Sequence, residues 1–250
     1  MNNIYLYWVG YEYKLIKILK NMIYMHSTNG KGYKVNLINH DNVKDYIPEL
    51  PDYFYKLQPA HQADFVRVYV LCDRGGIWLD SDTLVVDKLD ALFDNININD
   101  GFFIKEYSNI WNGIFGTKPH TNLMKTWKKK MLDRLNKNIN IDWTEIGNTI
   151  LTDIKNNTDY FKNYYIYEGI SDIYPVMWNN CVEEFLNKPY ENYKNIEKPF
   201  QPLLVLVNSV YKELEKYSME EILNAKRPIN YFIEKSYRNK FKDIYLIYKN

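Results

Sequence analysis

The chain has 250 residues, 46% of them hydrophobic, with 32 Lys and Arg against 31 Asp and Glu. That length suits one large domain with a proper core, expected to span 1–250 with a nucleotide-sugar part at 1–90 and an acceptor part at 100–250. The balanced charge argues against a nucleic-acid partner, so any site for a charged ligand must be local.

No apolar run reaches the roughly 20 residues of a membrane span, and no basic stretch followed by an apolar one opens the chain, so neither an anchor nor a signal peptide is expected. Two cysteines, Cys72 and Cys181, are too few for a disulfide framework and read as reduced thiols in a cytoplasmic setting.

In chain order, Ile4 to Val9 is an apolar run ended by Gly10 and predicts a buried first strand. Leu15, Ile16, Leu19, Met22 and Ile23 carry the spacing of an amphipathic helix over 12–25, and Tyr33 to Ile38 alternates as a second strand. This strand, helix, strand order predicts an α/β fold with a mostly parallel central sheet flanked by helices. Pro59 suits the first turn of the next helix and Gly75 its exit. Ile77 to Val86 then reads as strand on both sides of the triplet Asp80-Ser81-Asp82. Further strands are expected at 102–105, 114–115, 165–167 and 203–207, helices at 121–135, 143–154, 219–224 and 228–241, and a turn at Tyr174-Pro175.

Two carboxylates at the end of an apolar strand need something positive beside them. A divalent cation carrying a diphosphate is the natural candidate, with one carboxylate binding directly and the other through water or a ribose hydroxyl. Two rival motifs fit less well. The haloacid-dehalogenase phosphatase pattern needs Gly and Thr where Thr83 and Leu84 stand, and a calcium loop needs polar residues where Leu84 and Val85 stand.

The preceding helix places Asp64 and Arg67 one turn apart, which is also the spacing of an ordinary helix ion pair. Of the four histidines only His61 is close in sequence, and helix geometry is expected to turn it away from the face of Asp64 and Arg67.

Ala60, Asp64, Arg67, Gly75, Gly76, Ile77, Trp78, Leu79, Asp80 and Asp82 stand in unbroken register with a known pattern: Ala, Asp, two residues, Arg, Gly-Gly, an aliphatic, an aromatic, Leu, Asp-x-Asp. In this the chain resembles the sugar transferases of glycosyltransferase family thirty-two. That group includes capsular polysaccharide enzymes and yeast initiating mannosyltransferases, and is related to the large clostridial glucosylating toxins.

The resemblance implies a GT-A-type nucleotide-diphospho-sugar transferase fold. It also implies a metal-dependent, retaining transfer of a hexose from a nucleoside-diphosphate donor, UDP-sugar favoured, with Mn2+ or Mg2+ as cofactor and a glycan, glycolipid or protein as acceptor. By the same resemblance Trp8, followed by Val9, would stack on the nucleobase, and Asp64 and Arg67 would contact the donor's hydroxyls and phosphates. Trp78 would lie against the ribose, Asp80, followed by Ser81, would bridge ribose and metal, and Asp82 would be the direct metal ligand. Asn112-Gly113-Ile114-Phe115 resembles the strand that carries the acceptor side. Asn208 and Ser209 match the C-terminal part of the metal and phosphate site, with neither the His nor the Trp common there. Asp64, Asp80 and Asp82 are the residues expected to carry the chemistry.

Plainer readings stand beside these. Trp8 at the end of a buried strand is also a place for a core residue, and Asn208 and Ser209 serve equally as a helix cap. A sugar-nucleotide-binding protein without turnover is the alternative function. Over 226–250 basic residues outnumber acidic ones seven to two, with aromatic residues between them. Such a tail either docks on an anionic membrane or packs as a terminal helix with a solvated basic face.

Overall fold

The computed structural model describes residues 2–27, 32–106, 109–169, 173, 175–207 and 211–247. Two compact units interleave along the chain: Met1–Gly10, Lys34–Asp80 and Ala91–Tyr167 form the first, and Tyr11–Tyr33, Ser81–Asp90 and Glu168–Asn250 the second.

In the first unit, β1 (Asn3–Tyr7), β2 (Lys34–Ile38), β3 (Gly76–Leu79), β5 (Gly101–Glu106), β6 (Asn109–Thr117) and β7 (Tyr164–Glu168) form one six-stranded sheet, ordered β2-β1-β3-β6-β5-β7. β1 pairs in parallel with β2 and with β3, while β6 runs antiparallel to β3 and to β5. β1, β2, β3 and β5 therefore point the same way, which makes the sheet mostly parallel. The apolar residues of β1 and β3 are buried as continuous runs, the pattern of a sheet covered on both faces.

Helix α3 (Pro59–Arg74) sets up the site. Pro59 starts it, where a missing N–H costs nothing, and Gly75 and Gly76 end it with φ of +64° and +109°. The chain thereby turns into β3 within two residues. A one-turn helix α2 (Val43–Tyr46) and a longer one, α5 (Asn122–Lys137), precede and follow; Thr121 caps α5 by accepting from Met124 N at 3.3 Å. Phe65, Val66, Leu71, Trp78, Phe103, Phe115, Trp127 and Leu151 are among the residues that fill the core of this unit.

The expected helix over 143–154 is broken. Residues Glu145–Thr149 form a wide turn with Gly147 at φ −99° and ψ −107°, and only Ile150–Asn157, α6, is α-helical. Helix α4 (Asp90–Ile98) lies in a stretch where no element was expected, because its Asn-rich and β-branched residues are poor helix formers.

The second unit holds α1 (Lys14–His26), a two-stranded antiparallel sheet of β4 (Thr83–Val85) and β8 (Leu203–Val205), and short helices α7 (Tyr193–Ile196) and α8 (Met219–Asn224). It ends in α9 (Pro228–Ile247). Leu19, Leu84, Leu204, Phe185 and Phe232 pack at its centre.

In α9 the residues Ile229, Phe232, Ile233 and Ser236 are buried and Tyr237 is exposed, so the first half of the tail is a packed terminal helix. The expected turn at Tyr174-Pro175 lies partly outside the described residues. Both cysteines are buried and free. Among the described residues no helix is long and apolar enough to cross a membrane.

Candidate active site

The strand β3 delivers Asp80 to its carboxyl end, and the neighbouring face of α3 delivers Asp64 and Arg67 to the same place. Three residues of separation put the two α3 side chains one above the other, and both are nearly buried. The guanidinium of Arg67 is fully engaged. Nη2 donates to Asp80 Oδ1 at 2.9 Å, Nη1 to the backbone oxygen of Asn112 at 2.7 Å, and Nε to that of Ala63 at 3.4 Å. Nη1 also lies 3.4 Å from Asp64 Oδ1, and the guanidinium carbon sits 5.0 Å from the ring centre of Trp78.

Trp78 donates its indole N–H to the same Asp80 Oδ1 at 2.8 Å, and the Asp80 backbone N–H donates to Gly113 O at 2.8 Å. Asn112 of β6 closes the cluster by donating from Nδ2 to Asp64 Oδ1 at 2.8 Å. Two carboxylates thus share one guanidinium in a largely buried setting. Burial raises the pKa of Asp64, against the pull of Arg67 and with the nearby Asp80 adding to the rise. Crowding by protein atoms likewise raises that of Asp80, opposed by Arg67 and the Trp78 hydrogen bond, although 29% of its side chain remains exposed.

Backbone closes around these carboxylates at two glycines. A Cβ on Gly113 would stand 2.7 Å from Asp80 Oδ2, and one on Gly147 would stand 2.5 Å from Asn112 Nδ2 and 3.2 Å from Asp64 Oδ1. The break in the expected helix at Gly147 therefore has a cause: the turn is pressed against the Asp64–Asn112 pair. Gly147 was not foreseen as a site residue, and the signal for it was an isolated glycine inside an apolar helical pattern.

Asp64, Arg67, Trp78 and Asp80 are brought together as one cluster. Trp78 is only 1% exposed and is occupied in holding Asp80; a buried indole has little face to offer a ribose. Arg67, expected at the donor's hydroxyls and phosphates, is engaged in holding the two carboxylates. Trp8 and Val9 follow β1 at the carboxyl end of the parallel strands, where β3 delivers Asp80, both half-buried, and Trp8 Nε1 has no hydrogen-bond partner among the described residues.

Ser81 and Asp82 form the turn that enters the second unit, Ser81 buried and Asp82 half-buried, and the Asp82 backbone oxygen accepts from Leu206 N at 3.0 Å. Asn208 and Ser209 lie outside the described residues. His61 corrects an expectation: a spacing of three residues sets it beside Asp64 rather than away from it, and it is near enough to favour the Asp64 carboxylate electrostatically.

Carboxylate oxygens are hard donors, suited to Mg2+ or Mn2+ rather than to a soft metal. Asp80 Oδ1 is taken by Arg67 and Trp78, while Oδ2 makes no hydrogen bond among the described residues and faces the space that a Gly113 side chain would fill. Asp80, through Oδ2, is the residue of the first unit that would hold such a cation. Among the described residues no three His, Cys, Asp or Glu side chains gather as a cage, so a diphosphate would have to supply the remaining oxygens.

Residues 1–248 match a family model described as "Capsular polysaccharide synthesis protein". Two crystal structures of the glycosyltransferase GlyE from Streptococcus pneumoniae TIGR4 are similar to the chain. The apo form gives a TM-score of 0.52 at 13% identity, covering 89% of this chain and 62% of that one. The second gives 0.50 at 14%, covering 90% and 63%, so the chain spans under two thirds of GlyE. The galactosyltransferase LgtC in complex with donor and acceptor sugar analogues aligns over 94% of this chain and 95% of its own at 12% identity, with a TM-score of 0.45. No curated protein sequence matches the chain. The GlyE likeness shows the fold, which is the GT-A type.

Proposed function

The chain belongs to the capsular polysaccharide synthesis family, which with its fold classes it among the glycosyltransferases, and from that premise we propose a metal-dependent, retaining transfer of a hexose from a UDP-sugar to a glycan, glycolipid or protein acceptor. The observation that carries the reading is the buried cluster of Asp64, Arg67 and Asp80. It holds two carboxylates against one guanidinium, and burial resists the ionisation of both. Such a cluster is relieved by a cation, and a cation at that place is matched by a diphosphate.

A bound Mn2+ or Mg2+ would neutralise the leaving diphosphate as charge develops on it. Arg67 and Trp78 hold the Asp80 carboxylate still, and Asn112 does the same for Asp64, so the polar groups need little rearrangement when the donor arrives. Membership of a capsule-synthesis family supports a glycan as the acceptor.

The test is release of nucleoside diphosphate from a panel of nucleotide sugars in the presence of Mn2+. Transfer or hydrolysis that disappears in Asp82→Ala, with the melting curve unchanged, supports the reading. A fully active Asp82→Ala protein overturns it. Donor binding without release points instead to a binding protein, and phosphate release from simple esters to a phosphatase.

A further inference from the structure

The turn between α5 and α6 is tied down along its length. Arg134 of α5 pairs with Glu145. Asp142 N donates to Glu145 Oε2 at 2.9 Å, and Trp127 Nε1 donates to the backbone oxygen of Ile146 at 2.8 Å. Gly147 is then pressed against Asn112 and Asp64. A turn fixed in this way holds what it carries in one place.

It carries Trp143. This residue is 68% exposed, whereas Trp78 and Trp127 are fully buried. Its ring stands 6.1 Å, centre to centre, from that of His61, which is one helical turn from Asp64. His61 is 3% exposed, and its Nε2 has no hydrogen-bond partner among the described residues. Asn148 Oδ1, on the same turn, is likewise buried without one.

An exposed aromatic face on a fixed turn suits a ligand that is apolar on one side and hydroxylated around its rim. A pyranose ring has that character, its C–H face meeting the indole. Contacts run from Asp80 through Arg67 and Asp64 to Gly147, so this turn borders the carboxylate cluster. In a retaining transfer the acceptor reaches the sugar on the face from which the diphosphate leaves, so its subsite lies beside the donor cluster, as this turn does.

We propose that Trp143, with His61 beside it, forms a binding subsite for a pyranose ring of the acceptor saccharide. The assignment of that ring to the acceptor rests on the sugar-transfer reading above. Trp143 is the platform, and His61, packed 6.1 Å from it, is a positioning residue that holds the indole.

The test is binding of the full chain, loaded with UDP and Mn2+, to an array of oligosaccharides. Wild type is expected to bind a subset of them, Trp143→Ala to bind the same subset at least about tenfold more weakly, and Trp143→Phe to keep most of the binding through its remaining aromatic face. Unchanged melting temperatures for both variants exclude a folding defect. Equal binding by Trp143→Ala, or no binding by the wild type, overturns the subsite.

Release of UDP from UDP-sugars by the wild type is measured separately. Release together with binding indifferent to Trp143 refutes the subsite alone. Binding that depends on Trp143, without release from any donor, refutes the transfer reading while leaving a saccharide site at Trp143.

Discussion

His26 should make the second unit acid-sensitive, and the size of the effect follows from its surroundings. The residue lies in the last turn of α1 with no exposed surface, and its Nε2 is 2.9 Å from Ser236 Oγ. The Ser236 hydroxyl donates its own proton to Val85 O at 2.6 Å, so Oγ must accept from His26 and the proton sits on Nε2 of a neutral ring. Burial, with Lys240 adding to it and Asp87 opposing, lowers the pKa of this imidazole to about 4 from the ordinary 6.5.

The folded-state pKa is depressed, so acid favours the unfolded chain, which takes up the proton first. Stability is complete above the unfolded value and is lost as pH falls from about 6.5 toward 4. At pH 4.5 the two values imply a loss of roughly 2.5 kcal/mol, a large fraction of the 5–15 kcal/mol typical of a folded domain.

Urea unfolding of wild type and His26→Gln, each at pH 7 and 4.5, isolates the effect, because Gln keeps an N–H for Ser236 but does not titrate. Wild type should lose about 2.5 kcal/mol more than the variant across that interval. Equal losses would refute the lowered pKa and the burial argument behind it.

Three further outcomes follow from the site. Trp78→Phe removes the indole donor that fixes the Asp80 carboxylate, and loss of such an outer-shell partner weakens metal binding by about 10–100-fold. Calorimetric titration should therefore show Mn2+ binding weakened about tenfold or more, and an unchanged Kd would remove Trp78 from its role. Gly147→Ala forces a methyl to within 2.5 Å of Asn112 Nδ2, so it should destabilise the first unit by about 1–3 kcal/mol and slow sugar transfer; a melting curve superposable on that of wild type would contradict the close approach. Chelation by EDTA should stop nucleoside diphosphate release, and excess Mn2+ should restore it, whereas activity that persists in EDTA would exclude the metal.

Much of the site was legible because its residues lie close together in the chain. Asp64 and Arg67 are separated by one helical turn, the Gly75-Gly76 pair needs positive φ to leave α3, and Asp80 ends an apolar strand, so local geometry alone puts these residues at one end of the sheet. Trp143 was not legible, and Gly147 showed only as an isolated glycine in a helical pattern. Nothing within their own stretch shows that α3 and β6 lie against it, so the period read as a continuous helix. His61 was misjudged on local geometry itself, since the spacing of three that unites Asp64 with Arg67 unites His61 with Asp64 as well.

The amino-acid sequence by itself determined β1, β2, β3 and the helices α1, α3 and α5, and which residues could carry charge at the end of β3, because propensity, periodicity and glycine placement act over a few residues at a time. Only the tertiary structure decided what those residues do. Trp78, which the family resemblance would set against a ribose, is drawn inside to hold Asp80, and Asn112, brought beside α3 by the β3–β6 pairing, steadies Asp64. Exposure and partnership depend on segments far apart in the chain, and in a buried cluster of two carboxylates and one guanidinium they set which oxygen remains for a ligand.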